Sequence, residues 1–272
     1  MPQDQPDAHE ELHEFVSRSE TKTYAVGVML AAVYGVLILV PMSAFVGALG
    51  IATGGIPVAI CVVPLFGIML GPTKGLAFGL VAGLIAAFLA LVVTPISLAV
   101  PTMLLGPAVS GLFTGLSMKR TTRFGSIRVP GPIVTALYLF IIIMLYELPN
   151  GAAWWFMTLY MLALVTALVL QVKSVEYNRD LGGARKYLQV VPFVLIGTMT
   201  DFSMMTMGAV YILGIPADVF GFVVFPLMLA ERTVAVVAGS FLAALVMAAF
   251  RDLWYWATPE ATSASREHDG TL

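Results

Sequence analysis

The sequence predicts an all-α, polytopic transmembrane helical bundle of about eight spans, and three observations carry that reading. Of 272 residues, 59% are hydrophobic and only 11% charged, whereas a soluble domain carries about 25% charged residues. Mean hydropathy is +0.93. The apolar residues also fall into runs near the roughly 20 residues that a helix needs to cross about 30 Å of hydrocarbon. The chain divides into a polar tail over 1–22, a transmembrane helical domain over 23–257 and a second polar tail over 258–272.

The opening segment is acidic (Asp4, Asp7, Glu10, Glu11, Glu14, Glu20) and has neither a basic n-region nor a small-residue cleavage site. It therefore does not read as a signal peptide. The spans that follow are 24–46, 57–72, 75–93, 101–118, 131–147, 154–172, 188–213 and 219–250. The second is short, and the last is long enough to bend or to emerge into water. Pro and Gly mark the breaks, at Gly54-Gly55-Ile56-Pro57, Gly71-Pro72, Thr94-Pro95, Pro130-Gly131-Pro132, Leu148-Pro149-Asn150-Gly151 and Gly214-Ile215-Pro216. Such residues favour turns because they fix or free φ.

Short loops rich in Lys and Arg stay cytoplasmic. Lys119, Arg120, Arg123 and Arg128 lie between spans four and five, and Lys173, Arg179, Arg185 and Lys186 between spans six and seven. Arg18 and Lys22 precede span one, Lys74 separates spans two and three, and Arg251 follows span eight. The alternate loops 47–56, 94–100, 148–153 and 214–218 hold no Lys or Arg. Eight spans put every basic loop on one side, so both termini are expected in the cytoplasm. Trp154 and Trp155 open span six at the outer interface, and Trp254 and Trp256 close span eight at the inner one, where indole rings are favoured.

Transmembrane helices associate by close packing, which small residues at four-residue spacing permit. Span three carries Gly75, Gly79, Gly83 and Ala87, with Gly67 and Gly71 continuing the spacing upstream as one ridge. Span four carries Gly111 and Gly115, and span one Gly27, Ala31 and Gly35. The last seam serves either the chain's own bundle or another subunit, and periodicity does not separate the two.

Several chemistries lack their residues. His9, His13 and His268 all lie in the tails, leaving no membrane histidine for haem, zinc or a Ser-His dyad. Each Lys falls at a helix end. Gly71-Pro72-Thr73-Lys74-Gly75 lacks the order of a phosphate loop, so any ATP must be bound by another subunit. The single Cys61 sits in an apolar run and reads as a small buried hydrophobe. No catalytic residue, cofactor, metal ion or nucleic acid is expected.

Three ionisable residues fall deep within spans: Asp201 in span seven and Glu231-Arg232 in span eight. A charge at the bilayer centre is costly, so such residues pair or line a polar cavity. Asp201 and Glu231 lie equally far from the turn 214–218, so antiparallel neighbours would bring them to similar depth, with Asp201 facing Arg232. The arrangement is either a brace that fixes helix register or a ligand pocket. Thr198, Thr200, Ser203 and Thr206 add polar groups, and residues 198, 201 and 205 share one face. Met204, Met205 and Met207 add an adaptable surface. The candidate substrate-binding residues are Thr198, Asp201, Phe202, Met205, Glu231 and Arg232.

The segments Gly197-Thr-Met-Thr-Asp201, Gly214-Ile-Pro-Ala-Asp218-Val-Phe220, Phe225-Pro226 and Glu231-Arg232 resemble the last two helices of substrate-binding S components of energy-coupling factor (ECF) type ABC transporters. Span one, with Gly27, Ala31 and Gly35, is similar to the first helix of that family, whose small-residue motif docks on the coupling subunit. The glycine-rich Leu70-Gly-Pro-Thr-Lys-Gly75 also fits. The resemblance covers roughly 24–118 and 188–250. It implies a six-helix core with 131–172 as an inserted hairpin. It also implies a non-catalytic plasma-membrane subunit that captures a small, vitamin-like nutrient. A transmembrane coupling subunit and cytosolic ATPases would be its partners, Gly27, Ala31 and Gly35 its docking residues, and the loop 47–56 (Gly47, Gly50, Thr53, Gly54, Gly55) a lid. Two other readings stand beside it: a membrane scaffold or assembly protein braced by Asp201–Arg232, and a lipid-processing enzyme using Asp201 or Glu231 as acid–base group.

Overall fold

A computed structural model describes residues 8–40, 57–93, 101–124, 127–173 and 184–250. The loop 47–56 expected as a lid, the end of the first span, the loop 94–100, most of the loop 173–187, Trp254, Trp256 and the C-terminal tail lie outside the described residues.

The fold is all-α. Helix α1 (Ala8–Leu37) is followed by a 3-10 turn (Val58–Cys61) that leads into α2 (Val63–Val93). A 3-10 turn (Pro101–Leu105) opens α3 (Gly106–Ser117). The antiparallel strands β1 (Thr122–Phe124) and β2 (Ile127–Val129) then form a small hairpin with Arg123 opposite Arg128. Next come α4 (Gly131–Asn150), a 3-10 segment (Gly151–Met157), α5 (Thr158–Val172) and α6 (Ala184–Tyr211). A single turn (Ala217–Val219) and a π-helical turn (Phe220–Val224) run into α7 (Phe225–Ala249). Residues 8–22, read from the sequence as part of a polar tail, are continuous with span one in α1.

Four stretches are long and apolar enough to cross a membrane: Val63–Leu89, Gly131–Val172, Tyr187–Tyr211 and Ala217–Ala249. This fits a membrane protein. Leu76, Leu80, Leu84 and Phe88 along α2, and Leu137, Phe140 and Ile141 along α4, are exposed, as a lipid-facing surface requires. The 42 residues of Gly131–Val172 would measure about 63 Å as one straight helix, twice the hydrocarbon thickness. They do not run straight. Backbone angles at Ala153 are non-helical (φ −118°, ψ 43°), and α4 and α5 pack against each other as a hairpin.

Gly71 decides the shape of the first half. Its φ of 74° and ψ of −175° break α2 into two limbs, 63–70 and 72–93, in a backbone region essentially restricted to glycine. In a straight helix Phe66 and Gly75 would stand about 13 Å apart. Here the Phe66 carbonyl oxygen lies 2.8 Å from where a β-carbon on Gly75 would sit, so the chain folds back on itself. The expected continuous ridge through Gly67 and Gly71 is thereby corrected: Gly67 belongs to the other limb and abuts Gly111, Thr114 and Gly115. The 63–70 limb runs back alongside α1, with the Val58 amide donating to the Val40 carbonyl at 2.9 Å and Tyr34 meeting Phe66 edge-on at 6.4 Å.

Glycines close the backbones of α2 and α3 together. β-Carbons added at Gly75, Gly79 and Gly83 would strike backbone atoms of Gly111, Pro107 and Leu104 in turn, an antiparallel register along the whole of α3. The span-one seam is likewise internal. Gly27 abuts Phe78, Gly35 abuts Ile85, and Ala31 is buried between them. In this chain the long limb of α2 occupies the face of Gly27, Ala31 and Gly35 that was expected to dock a partner.

The basic residues flank one end. Lys74 pairs with Glu20 at 3.8 Å and caps the Tyr24 ring, while Leu70, Met118, Leu170 and Val190, next to the basic turns, share one apolar cluster. At the opposite end Tyr211 donates to the Leu145 carbonyl and the Trp155 indole donates to Gly221.

Candidate functional site

Helix α6 carries a run of hydroxyls through an apolar core, and its own backbone absorbs two of them. Thr200 donates back to the Ile196 carbonyl at 2.9 Å, and Ser203 donates to Thr200 at 2.6 Å. This is the usual way for Ser and Thr to sit inside a helix. Ser203 and Thr206 also reach the α4–α5 hairpin: Ser203 meets the Tyr138 hydroxyl at 2.5 Å, and Thr206 meets the Tyr160 hydroxyl at 2.8 Å. The hairpin is therefore one wall of the site.

Asp201 and Arg232 form the centre. Arg232 Nη1 lies 3.6 Å from Asp201 Oδ2, with side-chain exposures of 3% and 14%. The Arg232 guanidinium carbon also stands 4.0 Å from the centre of the Phe202 ring, within the range where a cation is attracted to an aromatic face. The turn 214–218 makes α6 and α7 antiparallel neighbours, which brings the two charges together as their spacing predicts. The Asp201 carboxylate also lies against Gly106, the first residue of α3, beside the positive end of that helix's dipole.

The remaining candidates divide. Phe202 is buried and stacks on Tyr160 at 6.3 Å. Met205 packs at the edge of the same apolar cluster. Thr198 is buried, and its hydroxyl has no hydrogen-bond partner within the protein. Glu231 is 1% exposed, and neither carboxylate oxygen has a hydrogen-bond partner. Nε and Nη1 of Arg232 and the hydroxyls of Ser110 and Thr114 on α3 are in the same condition. Each such buried group costs about 1–3 kcal/mol, and charged groups more. Native cores rarely leave so many together.

Sequence reasoning missed four contributors. Tyr34, Tyr138 and Tyr160 lie within electrostatic range of Asp201, and Gly106 provides the space for its carboxylate. A tyrosine in mid-span was a legible signal, because a phenol in hydrocarbon needs a polar partner. Nothing local marked Gly106. Comparison with family models, with curated proteins and with solved structures gave no match.

Proposed function

We propose that this chain is the non-catalytic substrate-capture subunit of an ATP-driven uptake transporter for a small nutrient, an S component of the ECF class. The observation that carries the reading is the buried Asp201–Arg232 contact, with further buried polar atoms that lack hydrogen-bond partners on the same two helices, at Thr198, Glu231 and Arg232. Concave sites with a few convergent polar groups in an apolar wall are what small-molecule recognition uses. The segments that resemble the last two S-component helices contribute Asp201, Glu231 and Arg232 to this cluster. Both termini and the basic loops are cytoplasmic in this reading, and the segments at 57–72 and 101–118 enter the membrane with helices too short to span it by themselves. A transmembrane coupling subunit with cytosolic ATPases supplies the energy, docking on a face other than the closed Gly27, Ala31, Gly35 seam.

The test is small-molecule retention. Wild type and an Asp201→Ala, Arg232→Ala double variant are purified in detergent, their small molecules extracted and identified by mass spectrometry, and their melting curves compared. A molecule kept by wild type and lost by an equally stable double variant is the expected result. The Asp201–Arg232 contact itself favours a second reading, a scaffold in which the pair is only a brace. A stable double variant that retains whatever wild type retains selects that reading.

A further inference from the structure

Charge at the core does not balance. Two carboxylates, Asp201 and Glu231, face one guanidinium, Arg232, and that guanidinium is engaged by Asp201 at 3.6 Å and by the Phe202 ring at 4.0 Å. Arg232 is also the one charge shown acting on Glu231. Both Glu231 oxygens are buried without a hydrogen-bond donor. Of the described basic residues, Lys22 is exposed along α1, Lys74 follows the Gly71 break, and Lys119, Arg120, Arg128, Lys173 and Arg185 stand at helix ends and turns; none of them is buried in the core. A carboxylate that stays ionised in such a place needs positive charge or N–H donors; without them it takes up a proton.

Building on the capture reading above, we infer that Glu231 anchors the substrate and that the substrate is a small organic cation bearing N–H groups, of the ammonium or amidinium kind. One positive charge would balance the excess carboxylate. N–H donors would satisfy Oε1 and Oε2 through charge-assisted hydrogen bonds. Ca²⁺ or Mg²⁺ fits less well, because each takes six or more oxygen ligands. Among the described residues no three His, Cys, Asp or Glu side chains gather to supply them.

The experiment uses the full-length protein in detergent, as wild type and as Glu231→Gln, with two probes of matched shape: phenethylammonium and the neutral phenethyl alcohol. Melting temperature is followed against probe concentration, and retained molecules are identified by mass spectrometry. The expected result is that phenethylammonium raises the wild-type melting temperature, that the alcohol does not, and that Glu231→Gln weakens the ammonium effect about tenfold or more. A retained natural molecule with a basic nitrogen, lost from Glu231→Gln, supports the inference equally, even without a probe response. Equal response to both probes, an unchanged response in Glu231→Gln, or a retained molecule that is neutral or anionic overturns the inference and leaves the capture reading standing. No retained molecule and no response to either probe overturns both. Glu231→Gln keeps the shape of the side chain and removes a buried charge, so it is expected to fold, and its melting curve without probe verifies this.

Discussion

The Asp201 carboxylate occupies the space that a β-carbon on Gly106 would need. A residue on α6 thus rests against the first turn of α3, a helix nearly 100 positions earlier in the chain. Any side chain at position 106 must push the carboxylate away from Arg232 or move α3. Gly106→Ala is therefore expected to destabilise the fold by about 1–3 kcal/mol and to reduce ligand retention. Gly151→Ala is the control, because its nearest neighbour is Glu147 Oε2 at 3.4 Å, an ordinary contact. Melting curves of the two variants side by side decide it; equal stability would mean that the Gly106 contact carries no constraint.

Asp201→Ala and Arg232→Ala should each strand a charge in the core. Breaking a buried pair costs about 3–5 kcal/mol, whereas replacing both partners with apolar groups is often close to neutral. The double variant is expected to recover most of the loss in stability while losing the ligand. A double variant as unstable as the singles would show that the two residues do not act as a pair.

The α1 seam gives a prediction about packing. With Ala31 buried between Gly27 and Gly35, against the limb that carries Phe78 and Ile85, Ala31→Leu overfills the interface and should cost about 1–3 kcal/mol. Val33 on the same helix is 40% exposed, and Val33→Leu should change stability by no more than about 0.5 kcal/mol. An unchanged melting temperature for Ala31→Leu would show that the seam is open after all.

At Gly71 the backbone itself is at stake. Its φ of 74° with an extended ψ costs a side-chain-bearing residue about 1–3 kcal/mol, whatever the size of the replacement. Gly71→Ala and Gly71→Ser should therefore be destabilised alike, as read by thermal unfolding. A marked difference between them would point to side-chain crowding instead of backbone strain.

Sidedness can be read by cysteine labelling in a Cys61→Ala background. Arg128, in β2 just ahead of α4, and Leu148, in the last turn of α4, are both exposed and stand toward opposite ends of that helix. With the basic loops cytoplasmic, an impermeant thiol reagent added to intact cells should modify Leu148→Cys and spare Arg128→Cys. The reverse pattern would invert the topology.

The all-α class, the position of most helices and the polar core of α6 and α7 were legible in the sequence, because hydropathy and loop charge are local properties of the chain. Asp201 and Arg232 were matched in depth by counting residues from one turn, which works wherever a short turn forces neighbours to run antiparallel. Tertiary structure alone decided what the small residues face. The spacing of Gly27, Ala31 and Gly35 states that something packs closely, but its partner Phe78 is chosen by the whole bundle. The same holds for Gly67 and Gly75, which share a period in the sequence and are parted by a positive φ at Gly71. It holds above all for Gly106, whose role is to leave room for a carboxylate on another helix. A missing side chain has no local signature of its own, and its meaning is fixed only when the fold brings a neighbour against it.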